Sequence, residues 1–311
     1  MDTTKTFLAV TDFSEGAWNA VRRAALLAAE QSGRLELLHV ASGSSLRTLG
    51  GLLGMPADIR ERLMDEAHST LDDLAADVLR ETGIDPDHQV RIGNPVDEIL
   101  KASTEADVLV LDAHRSSGLS DRILGTTAER VVRKSSRPVL VTERAPSEPY
   151  QHALVPVALG PSPAALLELA MLIAPGADIT VFHAASVPYE SRLHLAGVAG
   201  EEIERLRAET RLQALAEIDN LITSTGDTTR LFRRSVEHGP ASQPILRKAE
   251  ELQVDLIVMG KQGESTLEKM LLSNVTRHIL AEASCDILVI GARSADDSLI
   301  PPDSQLISWS N

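Results

Sequence analysis

Residues 254–290, VDLIVMGKQGESTLEKMLLSNVTRHILAEASCDILVI, decide how the rest of the chain is read. An apolar run, 256–259, follows Asp255 and breaks at Gly260 into the short loop Lys261-Gln262-Gly263-Glu264-Ser265. A helix-period pattern comes next, and a second apolar run, 287–290, closes the segment. Strand, glycine loop, helix and strand in that order make one βαβ unit. Glycine at 260 and 263 lets the backbone turn sharply and lets a ligand approach it closely. Residues 107–141, DVLVLDAHRSSGLSDRILGTTAERVVRKSSRPVLV, repeat the layout 148 positions earlier.

Working outward, the repeat extends over nearly the whole chain. Leu8 answers Leu154 and Gly93 answers Gly239, both 146 apart, and Asp107 answers Asp255, 148 apart. His39 and His183 also pair, within LLHVAS and VFHAAS. In the first half, residues 6–10 and 35–40 read as strands, with a helix between them that Ser14 caps. Residues 41–56 read as an exposed Gly/Ser-rich loop, and helix periodicity resumes from Ile59 to Leu79. A strand at 89–92, a turn at Gly93-Asn94-Pro95 and a short helix lead into the first glycine-loop unit. Residues 143–150, ERAPSEPY, carry two prolines and no apolar periodicity, which marks a linker. The second half restarts at His152, with Ser162 as cap and Pro163 at the first helical position. A long amphipathic helix, 199–223, reads as core-facing.

The expected architecture is therefore α/β. Two tandem units span 1–144 and 152–293, joined by a linker at 145–151 and followed by a tail at 294–311 that reads as poorly ordered. Strands alternating with helices of this length predict parallel sheets covered on both faces. A duplicated unit predicts an internal pseudo-dimer and leaves a homodimer of such chains open. Ligands of such sheets sit beyond the carboxyl ends of the strands, at the topological switch point.

Composition narrows the function classes. The 311 residues carry 30 Lys and Arg against 45 Asp and Glu, for a formal net charge of −15. That balance argues against nucleic-acid or anionic-membrane partners, which need clustered positive charge. The single cysteine, Cys285, excludes a disulfide framework or cysteine-based metal site and is read as a packing residue. The first residues lack the basic and apolar regions of a signal peptide, and no apolar run reaches membrane-spanning length, so a cytoplasmic location is expected. No His/Glu/Asp grouping has metal-ligand spacing on one helix face, and no nucleophile elbow or Walker lysine motif occurs. His39 and His183 are read as hydrogen-bonded structural histidines, and no catalytic residue is assigned.

Taken together, these motifs resemble the universal stress protein family in its tandem form. The resemblance rests on the glycine loops, on TDFSEGAWNAVRRAALLA (11–28), on the LLHV strand and on GTTAERVVRKSSRPVLV (125–141). It implies two open five-stranded sheets of order 3-2-1-4-5, Rossmann-like, packed through their final strands, 137–142 and 285–290. It also implies a stress-response or signalling role, with ATP or a related adenine nucleotide, and Mg²⁺, as cofactor. Any hydrolysis would be slow and incidental. The family signature is Gly-x2-Gly-x9-Gly-Ser/Thr after the fourth strand, plus an Asp ending the first strand.

Neither half carries that set complete. The second half keeps Gly260 and Gly263 but ends in Ser273-Asn274 and has Ala158 at the Asp position; its implied pocket is Pro156, Val157, Met259, Gly260, Gly263, Ser273, Asn274 and Val275. The first half keeps Asp12 and Gly125-Thr126 but has Asp112 and Arg115 at the loop glycines; its implied pocket is Thr11, Asp12, Val40, Gly125 and Thr126. A carboxylate at 112 repels phosphate, so the second half is the expected site. Lys261 either adds charge to it or is solvated. The alternative is a nucleotide-independent protein–protein adaptor with vestigial pockets.

Overall fold

The computed structural model describes residues 4–43, 57–113, 124–159, 164–227, 230–261 and 272–291, with only the backbone for 57–60. Gly263, His114, Arg115, Ser162, Pro163 and the tail 294–311 lie outside the described residues. The first half runs β1 (Thr6–Thr11), α1 (Glu15–Glu30), β2 (Arg34–Ser42), α2 (Ala57–Thr82), β3 (Asp87–Gly93), α3 (Pro95–Ala102), a 3-10 turn (Ser103–Glu105), β4 (Val108–Asp112), α4 (Thr126–Lys134) and β5 (Val139–Thr142). The second half runs β6 (His152–Pro156), α5 (Ala164–Ile173), β7 (Asp178–Ala185), α6 (Glu190–Leu195), α7 (Gly200–Ser224), β8 (Phe232–His238), α8 (Ser242–Glu251), β9 (Leu256–Gly260), α9 (Asn274–Glu282) and β10 (Asp286–Ile290).

Helix starts follow from capping chemistry. Ser14 is extended and its side chain accepts from the Ala17 amide at 3.2 Å, opening α1. Asn94 accepts from the Val96 amide and Pro95 fills the first turn of α3, where no amide is needed. The repeated aspartates have a structural task of the same kind. Asp107 accepts from the Thr6 amide at 2.8 Å, and Asp255 from the Gln151 and His152 amides at 2.7 and 3.1 Å. Each thus ties the start of the first strand of its half to the start of the fourth. Sequence reading had no expectation for the six-residue α6.

Within each half the strand order is 3-2-1-4-5 and all pairings are parallel, as the resemblance implies. The halves then join edge to edge. β5 and β10 pair antiparallel, with Val141, Leu140 and Val139 opposite Ile287, Leu288 and Val289. The result is one ten-stranded sheet, β3-β2-β1-β4-β5-β10-β9-β6-β7-β8. Pairing the two final strands removes two edges that would otherwise present unpaired amides.

Alternation along the strands sends side chains into two apolar layers, one on each face. Phe7, Ala9, Leu140 and Leu288 enter the layer covered by α1, α2, α5 and α7, whereas Leu8, Val139, Ile287 and Val289 enter the layer beneath α3, α4, α8 and α9. Both layers run across the β5–β10 junction. Four alanines of α1, Ala20, Ala24, Ala25 and Ala28, are fully buried, so the helix approaches the sheet closely despite the shortage of aromatics. Not every apolar residue of the helix pattern is inside: Leu63, Leu79 and Leu212 are exposed. Leu288 is fully buried at the junction. Leu288→Ala is expected to cost about 2–5 kcal/mol, seen as a lower denaturant midpoint at unchanged slope.

Candidate functional site

In each half the first strand has the second on one side and the fourth on the other, so the crevice at the switch point opens beyond β1 and β4, and beyond β6 and β9. The described ones among the sequence-predicted residues fall at these two mouths. Thr11 and Asp12 end β1, Val40 is near the end of β2, and Gly125 and Thr126 open α4. Pro156 and Val157 end β6, Met259 and Gly260 end β9, and Ser273, Asn274 and Val275 open α9. The backbones of the two mouths match bond for bond. Gly125 donates its amide to the Ala113 carbonyl at 3.0 Å, and Ser273 donates to the Lys261 carbonyl at 2.8 Å. Ala113 donates to Thr142, and Lys261 to Ile290, at 3.0 and 2.7 Å.

The two histidines are also equivalent. His39 Nδ1 is 2.9 Å from the Thr11 carbonyl, and His183 Nδ1 is 2.9 Å from the Val157 carbonyl. Against a carbonyl, Nδ1 must be the protonated nitrogen. Each imidazole braces the turn that leaves the first strand of its half. In the first half that turn is further filled. Phe13 takes a left-handed φ of 65° and stacks on His39 at 4.3 Å between ring centroids. Its amide donates to Thr11 Oγ1 at 3.0 Å, and Asp12 Oδ1 accepts from the Ser14 amide at 3.0 Å.

Side chains distinguish the mouths. At the last residue of β4 stands Asp112, and a Cβ built on Gly16 would lie 2.4 Å from Asp112 Oδ2. The carboxylate is thus seated directly against the first turn of α1, where its charge is favourable, at the first mouth. Beside it, a groove of about 440 Å³ runs between α1 and α2, lined by Phe13, Trp18 and Leu74 with Glu15, Asp77 and Glu81 against Arg22. Arg22 is bonded to Glu81 at 3.0 and 3.1 Å, so this surface repels anions. The equivalent of Asp112 at the end of β9 is Gly260, with no side chain at all.

α9 starts with the Ser273 hydroxyl accepting from the Thr276 amide at 3.0 Å, while Thr276 Oγ1 donates to the Gly260 carbonyl at 2.9 Å. Asn274 is exposed and accepts from Arg277 at 2.8 Å. Ser273 and Asn274 therefore keep their polar groups at the mouth, and both are already used within the helix. Among the described residues, no group of three or more His, Cys, Asp or Glu is placed to hold a metal.

Comparison with known proteins gives this fold a lineage. The family model described as universal stress protein family matches residues 3–143 and again 149–291. The chain belongs to the universal stress protein family. Universal stress protein MJ0577 of Methanocaldococcus jannaschii is 27% identical over 155 residues, covering 45% of this chain and 95% of its own. Universal stress protein G of Escherichia coli O157:H7 is 34% identical over 127 residues, covering 39% of this chain and 85% of its own. Among solved structures, a universal stress protein from Archaeoglobus fulgidus superposes with a TM-score of 0.66 over 92% of this chain and 98% of its own, at 19% identity. At that identity the likeness concerns the fold.

As a member of this family the chain departs from expectation at Lys261. Neither solvated nor turned to the crevice, its side chain is 8% exposed, and its Nζ donates to the carbonyl of Ser135 in the other half. Its stem packs along Gly291, where a Cβ would stand 3.6 Å from that Nζ, an ordinary contact. Burial lowers the Lys261 ammonium to about 8 from an ordinary 10.5. The folded chain therefore sheds this proton before the unfolded chain does. Between about pH 8 and 10.5 the unfolded state binds more protons, so the contribution of this group to stability rises with pH and is lost as pH falls through 8. Denaturant midpoints of the wild type should gain on those of Lys261→Met across that window.

A second feature escaped sequence reading, a buried polar knot across the halves. Arg23 Nε donates to Asp286 Oδ2 at 3.1 Å, and its NH1 donates to the Glu148 carbonyl at 2.9 Å. The Tyr150 hydroxyl donates to the same carboxylate at 2.7 Å, and the Glu143 amide to Oδ1 at 2.8 Å. The guanidinium lies 4.0 Å over the Tyr150 ring. Arg23, Tyr150 and Asp286 are at most 6% exposed. Burial raises the Asp286 carboxyl, and Arg23 and the converging donors oppose it. Burial also raises the Tyr150 hydroxyl well above its ordinary range, so it stays a donor. By the repeat, Asp286 answers Pro138 and Arg23 answers Leu169, so the knot occurs on one side only. The signal was present: Arg23 sits on the apolar face of α1, and Asp286 opens an apolar strand.

Proposed function

We propose that this universal stress protein acts in stress response or signalling by binding ATP or a related adenine nucleotide, with Mg²⁺, in the crevice of its second half. The reading is carried by the contrast between Gly260 and Asp112. At the same place in the fold, one half has a glycine with no side chain, and the other has a carboxylate packed on α1. A helix amino terminus with free amides, here that of α9, favours phosphate oxygens, and Gly260 allows close backbone approach. Pro156, Val157 and Met259 would line the base side, and Ser273, Asn274 and Val275 the phosphate side. The first-half residues Thr11, Asp12, Val40, Gly125 and Thr126 would hold no nucleotide. Binding, rather than catalysis, is the proposed activity, and occupancy would alter conformation or partner choice.

Ala158 in place of the nucleoside-binding Asp, with Ser273 and Asn274 bonded within α9, favours a second reading, a protein–protein adaptor with vestigial pockets. The two separate on one experiment. Protein purified without added nucleotide is denatured, and the released small molecules are identified by chromatography. An adenine nucleotide in the supernatant, or a thermal shift on adding ATP and Mg²⁺, supports binding; neither leaves the adaptor.

A further inference from the structure

We propose that Lys261 is a positioning residue that couples the second-half crevice to the first half of the molecule, by anchoring the start of the glycine loop on the carboxyl end of α4. This rests on the nucleotide reading above and extends it to communication between the halves. Lys261 directly follows Gly260, and its backbone is fixed from two sides, by its amide on Ile290 and by its carbonyl on Ser273. From that fixed point the side chain passes to Ser135, which is the carboxyl-terminal cap of α4 and is 4% exposed. Ser135 is itself braced. Its hydroxyl accepts from the Arg137 amide at 3.0 Å and donates to the Arg137 carbonyl at 2.9 Å. An ammonium at a helix carboxyl end meets the negative end of the helix dipole as well as a carbonyl acceptor.

The other end of α4, nine residues away, is Gly125–Thr126 at the first-half mouth. A single short helix thus connects the Lys261 anchor to the first crevice. The arrangement runs one way. By the repeat, Lys261 answers Ala113 and the accepting carbonyl of Ser135 answers that of Ala283, and Ala113 has no side-chain donor to make such a bond. A ligand that moves the backbone at Gly260 moves the Lys261 main chain with it, and the strut delivers that displacement to α4. Coupling of this kind requires a physical connection whose state the ligand biases, and Lys261 supplies one across the β5–β10 junction.

Hydrogen–deuterium exchange of the full chain, with and without ATP and Mg²⁺, tests this in the wild type, Lys261→Met and Lys261→Arg. Methionine keeps the apolar stem and removes the donor, while arginine restores a cation. In the wild type, ATP should slow exchange in peptides covering 126–137. Lys261→Met should bind ATP about five- to tenfold more weakly, within the usual range of coupling effects, and should lose the ATP-dependent protection of 126–137. Lys261→Arg should recover it in part. ATP-dependent protection of 126–137 that persists in Lys261→Met overturns the coupling while leaving nucleotide binding intact. A wild type that binds no ATP overturns the functional reading itself.

Discussion

Arg23→Met is expected to lower the free energy of unfolding by about 3–5 kcal/mol, the usual cost of removing one partner from a buried ion pair. The variant leaves the Asp286 carboxyl 2% exposed and short of its guanidinium. It also leaves the Glu148 carbonyl without the donor at 2.9 Å. Methionine keeps the apolar stem against Tyr150, so the loss reports the polar contacts rather than packing. Pairing it with Asp286→Leu should recover part of the loss, because the orphaned carboxyl is gone, though the Tyr150 hydroxyl and the Glu143 amide then lack their acceptor. A double-mutant cycle from urea denaturation gives the coupling energy directly. A loss below about 1 kcal/mol, the level of an exposed pair, would show that the knot is solvated rather than buried.

Gly260→Asp, which copies Asp112 into the second half, is expected to weaken ATP binding by at least a hundredfold. Like charges brought together at a binding site cost several kcal/mol, and about 1.4 kcal/mol is a factor of ten. Gly260 is in β9 and is not among the residues with left-handed φ, so the new side chain meets no backbone penalty. Loss of affinity with an unchanged melting midpoint would therefore report charge and crowding at the mouth. Undiminished affinity would mean that phosphate does not lie near the end of β9.

Much of this molecule could be read before folding it. The 148-residue echo between DVLVLDAHRS and DLIVMGKQGE, together with the paired Asp107 and Asp255, indicated two copies of one unit, and parallel order followed from alternating strands and helices. The histidine roles followed too, because an imidazole in an apolar strand needs one nearby acceptor. What was not legible depends on contacts between halves. Arg23 and Asp286 are 263 residues apart and have no counterparts in the repeat, so neither periodicity nor internal comparison joins them. Lys261 is the same case: a lysine in a glycine loop is solvated unless something distant covers it, and the cover is the end of α4. Asp112 was recognised as hostile to phosphate, but its seat against Gly16 required α1 and β4 to be brought together.

The most direct measurement is a calorimetric titration of nucleotide-free protein with ATP and Mg²⁺, read for stoichiometry. One molecule bound per chain, falling to none in Gly260→Asp and unchanged in Asp12→Ala, is the result predicted here. Two per chain, or one that survives Gly260→Asp and vanishes in Asp12→Ala, would place nucleotide in the first half and contradict the account.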